Sequence, residues 1–415
     1  MAMRAAALLI AALAVPTGMA LATPPLMGSR CGGAALVDRA FRDAAVATLE
    51  HLAVRAPGLP ADGAVRTHRN AGFVDSDGHA WHQVSAYQVN LGLIGALHAD
   101  PRVAPMVANW LHWLSRHIAS SGPSNGVTLD HWVRADTLEE SICPPGMAAQ
   151  QCAQIDAHDS TAASTLLVAE AYLRHAGGGL LLREPAIRRA LEDSAGALAG
   201  LSDGRGLTVA KPEHAIVYTM DMVEVEAGWR AWARLQRVAY AQPASAEQTL
   251  ATAARAEASL RRALAGESAW SVSLGSGPPL RHRWYPDTVA QAWPLLWLPE
   301  AGDEGEHVQR LWRRAIAPWQ RAKALHWAHM NVDPEGFWWP AVAVASLCTG
   351  DEANARAWVA RAREKWMDPA TPFAWPFQVG DLLWLLWLAE PAGTQQPLGT
   401  PAQNSLNPLK PKENP

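Results

Sequence analysis

Three segments place an acid at the N-terminal end of an apolar run: His158-Asp159-Ser160-Thr161, Tyr218-Thr219-Met220-Asp221 and Trp284-Tyr285-Pro286-Asp287. The three acids stand 62 and 66 residues apart. That recurrence predicts helical hairpins whose alternate helices aim carboxylates at one shared cleft. Two carboxyl groups flanking a glycosidic bond are sufficient to hydrolyse it: one protonates the leaving oxygen, and the other activates water or attacks the sugar. Carbohydrate chemistry without a cofactor or metal is therefore the expected use.

The sharpest signal is Asp221 with Glu224, three residues apart on one helix face with Gly228 beyond them. Two acids on an apolar helix are costly unless paired or solvated, and crowding raises one pKa toward what a general acid needs. Neutralisation by Arg230 or Arg281 is the alternative. Asp159 is a candidate base or sugar ligand, and equally an N-cap. Asp287 follows Pro286 at a first helical turn, where a negative charge suits the dipole, so both catalytic and structural roles stay open.

Tryptophan supplies 20 residues against five tyrosines and five phenylalanines. Its flat face stacks on a sugar while its N–H bonds a hydroxyl. Aromatic residues gather at the helix mouths that carry the acids. Trp81, Tyr87, Trp132, Tyr218, Trp284, Tyr285, Trp338, Trp339 and Trp375 are candidate substrate-binding residues. His158, Arg281 and Arg283 join them as polar ligands, the arginines for an anionic sugar group.

The elements that must position these residues are read from apolar periodicity. It predicts helices at 34–56, 83–98, 102–119, 158–176, 185–201, 219–240, 244–266, 286–298, 305–320, 336–349, 351–367 and 377–390. Alternate members, beginning near 83, 158, 219, 286, 336 and 377, are apolar all round, whereas their partners carry Arg/Glu stripes. The expected fold is all-α, an (α/α)6 toroid with six inner N-termini on one face. A solenoid of hairpins is the rival, weakened by unequal repeat lengths. The stretch from 120 to 157 is a candidate cleft wall, and Asp77-Gly78 signals a tight hairpin. Asp75 and Asp77 resemble a fragment of a calcium loop whose other ligands are missing.

The chain has 415 residues, 49% hydrophobic, with net charge −4 and no basic stretch interleaved with aromatics, which argues against nucleic acid as a partner. Residues 1–22 read as a secretory signal ending in Ala20-Leu21-Ala22, which predicts a periplasmic or secreted protein, and no later run is long enough to span a membrane. Residues 23–390 are expected to form the toroid and 391–415 a disordered tail. Export permits disulfides: Cys143 with Cys152, leaving Cys31 for Cys348.

Two segments resemble the family 8 glycoside hydrolases, the cellulase and chitosanase group of the six-hairpin glycosidase superfamily. Gly72-Phe73-Val74-Asp75-Ser76-Asp77-Gly78 with Gln83-Val84-Ser85-Ala86-Tyr87 is similar to their glycine-bearing turn and helix start. Asp156-Ala157-His158-Asp159 with Ala162-Ala163 is similar to their Asp-Gly-Asp segment. The resemblance implies a toroid and an exported glycoside hydrolase. Where that family carries its proton-donating Glu, this chain has Trp81-His82-Gln83. Either the acid comes from elsewhere in the ring or the protein is not a catalyst of that type, and the Asp221 and Asp287 segments look more like uncharacterised bacterial six-hairpin proteins.

Two other functions remain open. A polysaccharide lyase removes a proton beside a uronate carboxylate, and Tyr218, His214 and Arg281 are parts for it. A non-catalytic glycan-binding or secretion-associated toroid would keep the aromatic platform, with polysaccharide-export machinery as a candidate partner. A metal hydrolase is disfavoured, since His326/His329 and His79/His82 lack acids at ligand spacing.

Overall fold

The structure, a computed structural model, describes residues 35–122, 124–264, 269–275, 283–298, 302–321, 332–334 and 336–389. Its helices are α1 (Arg39–Leu52), α2 (Ala86–Ala99), α3 (Ala104–His117), α4 (His158–Ala176), the single turn α5 (Gly179–Leu182), α6 (Pro185–Leu201) and α7 (Thr219–Arg234). They continue as α8 (Pro243–Leu264), α9 (Trp293–Trp297), α10 (Gly302–Arg321), α11 (Pro340–Cys348), α12 (Glu352–Trp366) and α13 (Asp381–Ala389).

Helices α2, α4, α7, α9, α11 and α13 pack in that order and α13 returns onto α2, closing an inner ring. Helices α3, α6, α8, α10, α12 and α1 lie outside them. The all-α toroid is thus the observed fold. Its two layers follow from side-chain distribution: every residue of α11 is buried, whereas α12 buries only the stripe Ala355, Trp358, Val359, Ala362 and Trp366. Close packing of the inner ring needs glycine. A Cβ on Gly228 of α7 would meet Ala163 Cβ of α4 at 2.8 Å, and one on Gly95 of α2 would lie 2.6 Å from Leu383 Cα of α13.

Helix starts depart from the periodicity where proline or a turn intervenes. The helix expected over 286–298 is broken into a π-turn at Trp284–Thr288, a 3-10 turn at Val289–Gln291 and α9. Pro294 lacks the amide that a continuous helix would pair with Ala290. Helices α11 and α13 begin four residues later than expected, at Pro340 and Asp381.

The residues expected to open α2 instead form β2 of a four-stranded antiparallel sheet: β1 (Phe73–Val74), β2 (Ala80–Val84), β3 (His131–Arg134) and β4 (Glu140–Ser141), paired in that order. The Asp77-Gly78 hairpin joins β1 to β2, with Gly78 at φ +85°. Asp75, weighed above as a calcium ligand, is taken by protein donors: the amides of Asp77 and His79, and Trp81 Nε1 at 3.0 Å. The 120–157 connection supplies β3 and β4 and is closed by the Cys143–Cys152 disulfide. Cys348 is also disulfide-bonded; Cys31, the signal segment and the 391–415 tail lie outside the described residues. Among the described residues no helix is long and apolar enough to cross a membrane.

Candidate active site

All six inner helices present their N-terminal ends, or the residues leading into them, to one cleft of about 890 Å³. Tyr87 and Gln88 come from α2, Asp156 from the lead into α4 and Ser160 from its first turn, Tyr218 from the cap of α7 and Asp221 and Glu224 from its first turns. Tyr285 and Trp293 precede and open α9, Trp339 and Pro340 open α11, and Asp381 opens α13. Six helix dipoles pointing their positive ends at one space favour anionic side chains there.

Glu224 is the best-defined acid of this cleft. It is 3% exposed, and its Oε1 accepts two hydrogen bonds, from Tyr87 Oη at 2.8 Å and Trp293 Nε1 at 2.7 Å. Burial pushes its pKa up to about 7, against the lowering effect of those donors. With both lone pairs of Oε1 occupied, a proton on Glu224 belongs on Oε2. Arg230, the cation weighed as its neutraliser, is spent on Glu226 and on Glu257, the latter at 2.6 Å.

Asp221 lies one turn before Glu224 and is raised well above the ordinary carboxylate range, first by burial and then by the neighbouring Asp159, Glu224 and Asp156. Its Oδ2 is buried without a hydrogen bond. Asp159 belongs to the same charge cluster but not to the cleft lining: it is fully buried, accepting from Thr208 Oγ1 at 2.7 Å and the Ser160 amide at 2.9 Å. Burial lifts it to about 6. It packs beneath the cleft, pinning the start of α4.

An aromatic wall continues from these acids through Trp293. Tyr285 stacks on Trp339 at 4.8 Å, Trp293 meets Trp339 edge-on at 6.2 Å, and Trp384 meets Trp293 at 5.9 Å. Trp338 and Phe337 complete the wall. Trp339 adopts a left-handed backbone, φ +50°, and its Nε1 donates to Asp333 Oδ2 at 2.7 Å. A bulky residue in that region costs on the order of 1–2 kcal/mol, offset here by the bond and the stacking.

The other expected site residues fall outside the cleft lining. Asp287 is 3% exposed and bonded to Arg283, through the amide at 3.0 Å and the guanidinium at 3.1 Å. Trp81 is buried and serves Asp75, and Trp284 packs edge-on against Trp319 at 5.2 Å. Trp132 lies against Phe73, His158 faces the Asn125 carbonyl at 3.3 Å, and Trp375 sits between His68 and Phe337. Arg281, His326 and His329 lie outside the described residues. Because Asp287 anchors only its own turn, Asp287→Ala is expected to cost about 1–2 kcal/mol of stability while changing kcat by less than about twofold. A denaturant titration beside a rate measurement checks this, and a large loss of kcat in a stable variant would restore Asp287 to the chemistry.

Among the lining residues not singled out above for a role in the cleft are Asp156, Asp381, Trp293 and Trp384. Asp156 is exposed in the cleft, in the bend that leads into α4 and three residues before Asp159. Asp381 opens the apolar run Leu382 to Leu388, the same signature that singled out Asp221, and accepts from the Gln378 amide at 3.0 Å. Burial raises it to about 7.

No protein-family model and no curated protein matches the chain. Among solved structures it is similar to a glycosidase, in wild-type form at TM-score 0.48 and as two single-residue variants at 0.49 and 0.48. Each alignment has 13% identity and covers 85% of this chain and 98% of the other. Likeness at that level says nothing of substrate or mechanism, so the chemistry must come from the side chains of the cleft.

Proposed function

We propose that the chain is a glycoside hydrolase whose proton donor is Glu224 and whose second carboxylate is Asp156, with the aromatic wall holding the sugar. The observation that carries this reading is Glu224: a carboxyl poised near pH 7 at the edge of a cleft, with one oxygen fixed by two donors and the other free to carry a proton. Protonated Oε2 would deliver its proton to the glycosidic oxygen as the bond breaks. Tyr87 and Trp293, already bonded to Oε1, then stabilise the carboxylate that remains. Asp156, exposed in the same cleft, would activate water or attack the sugar. Asp221, whose carboxyl is pushed well above the ordinary range first by burial and then by the neighbouring acids, would serve as a hydrogen-bond donor to a sugar hydroxyl rather than as a second anion.

A general acid works only in its protonated form. The rate should fall as pH rises through about 7, the value to which burial lifts Glu224. A kcat/KM profile that stays flat from pH 6 to 9 on any cleaved glycan would count against Glu224 as the acid. The decisive experiment is a panel of polysaccharides and oligosaccharides, read for new reducing ends and for ultraviolet absorbance. Reducing ends alone support hydrolysis, whereas binding without any product supports a glycan-binding toroid.

One contact favours the lyase as second reading. His214 Nε2 lies 3.1 Å from Tyr218 Oη at the cleft edge, beside Lys211. That pair could take a proton beside a uronate carboxylate held by the lysine, releasing an unsaturated, ultraviolet-absorbing product. The reading of residues 1–22 puts either activity in the periplasm or outside the cell, with polysaccharide-export machinery as candidate partner. N-terminal sequencing of the mature protein tests the export step: a chain still beginning at Met1 argues against it.

A further inference from the structure

A second cluster of chemistry-bearing side chains lies in the connection between α3 and α4, outside the cleft. His117 ends α3, His131 opens β3 and Glu140 opens β4. His117 Nε2 lies 3.1 Å from Glu140 Oε2, and His131 Nδ1 lies 3.0 Å from Glu140 Oε1. One donor atom from each of the three falls within 4.8 Å of the other two. The side chains are 12%, 13% and 4% exposed, so the cluster is built into the protein rather than scattered on its surface.

Hydrogen positions sharpen the picture. His117 Nδ1 lies 2.7 Å from the Trp113 carbonyl, which can only accept, so Nδ1 carries the hydrogen. Nε2 then meets the carboxylate oxygen either through its own proton, as an imidazolium, or as a bare lone pair that needs a bound cation between the two. His131 Nδ1 faces the other carboxylate oxygen at an angle that makes no hydrogen bond, and it is buried. The surroundings orient both kinds of ligand. Trp113 Nε1 donates to Glu140 Oε1 at 3.1 Å, and the Trp113 ring stacks on His117 at 4.2 Å. Carbonyl-anchored imidazoles and hydrogen-bonded carboxylates are the usual support behind metal ligands.

We propose that His117, His131 and Glu140 bind a divalent first-row transition ion such as Zn²⁺, with solvent completing the coordination. Two imidazoles and one carboxylate form a recognised donor set for zinc. Bonds of about 2.0–2.1 Å hold neighbouring tetrahedral donors about 3.3 Å apart, close to the spacing of both His–Glu contacts. The two imidazole donor atoms, now within 4.8 Å of each other, would have to close to the same spacing on binding. The ion would join α3 to β3 and β4, a second staple beside Cys143–Cys152 on the connection that delivers Asp156 to the cleft. No compact sequence motif announces the site, because its ligands come from one helix and two strands.

The test uses the full chain without a histidine tag, stripped with chelator and titrated with Zn²⁺. One ion per chain should survive dialysis, and the thermal midpoint should rise by about 3–5 °C when the metal is near a hundredfold above Kd. Co²⁺ in place of Zn²⁺ should give the visible bands of a low-symmetry complex. Glu140→Gln and His131→Ala should each lose stoichiometric binding and the thermal shift. Wild-type protein that retains no ion overturns the proposal and leaves a proton-bridged His–Glu–His network. Binding unchanged in both variants also overturns it, placing the ion among the other histidines of the 15 in the chain.

Discussion

Glu224→Gln is expected to lower kcat on any cleaved glycan by about 10²- to 10⁴-fold, the usual contribution of a general acid. That corresponds to about 3–5 kcal/mol of transition-state stabilisation. The variant isolates proton donation well. Its amide oxygen still accepts from Tyr87 and Trp293, and its NH2 takes the place of protonated Oε2 but has no proton to transfer. KM should change little, since the sugar keeps its aromatic wall. A folded Glu224→Gln protein that turns over near the wild-type rate would remove Glu224 from the mechanism. Glu224 also ties activity to stability. Its pKa in the folded state is raised above the ordinary 4.5 to about 7. Its stabilising contribution is therefore full below about pH 4.5 and is lost as pH rises to about 7. On the order of 3 kcal/mol is at stake. The Gln variant has no charge to bury, so it should lose less stability over that interval, which parallel unfolding curves at pH 5 and 8 would reveal.

The second large effect is expected at the seam where α13 meets α2. A Cβ on Gly95 would lie 2.6 Å from Leu383 Cα and 2.7 Å from the Leu382 carbonyl oxygen, both backbone atoms that cannot rotate aside. Gly92 meets the same constraint from the Val379 carbonyl oxygen at 2.3 Å. Gly95→Val should therefore cost about 3 kcal/mol, at the upper end of overpacking penalties, because the helices must separate along the seam. Gly196 on outer helix α6 is the internal control. A Cβ there meets nothing within 4 Å, so Gly196→Ala should stabilise by about 0.5–1 kcal/mol through helix propensity alone. Equal stabilities for Gly95→Val and wild type would mean the seam is looser than its distances imply.

The toroid was legible because inner helices such as α11 and α13 are apolar on every side and their partners are not. Asp221 and Glu224 stood out for a related reason: acids within an otherwise buried helix must be explained. Asp287 shared the signature, but Arg283 four residues earlier neutralises it locally, and periodicity does not reveal which way such a turn faces. Asp381 was overlooked although the same rule selects it. Tryptophans near helix mouths were harder to sort. Trp339 and Trp384 face the cleft while Trp81 and Trp284 face the core, and only the neighbouring elements decide between them. His117, His131 and Glu140 meet through strand pairing between β3 and β4, which no local pattern foretells.

Closure of the ring has a kinetic corollary. The Trp375 amide bonds to Asn70 Oδ1 across 305 residues of chain, and α13 packs on α2 over a comparable separation. Most other inner contacts join hairpins that follow one another and can assemble step by step. Loop entropy must be spent before the final contact rewards it, so joining α13 to α2 belongs late in folding. A chain that has not yet made that contact would leave the apolar sides of α2 and α13 uncovered, surfaces open to aggregation or to exchange of a terminal helix between copies.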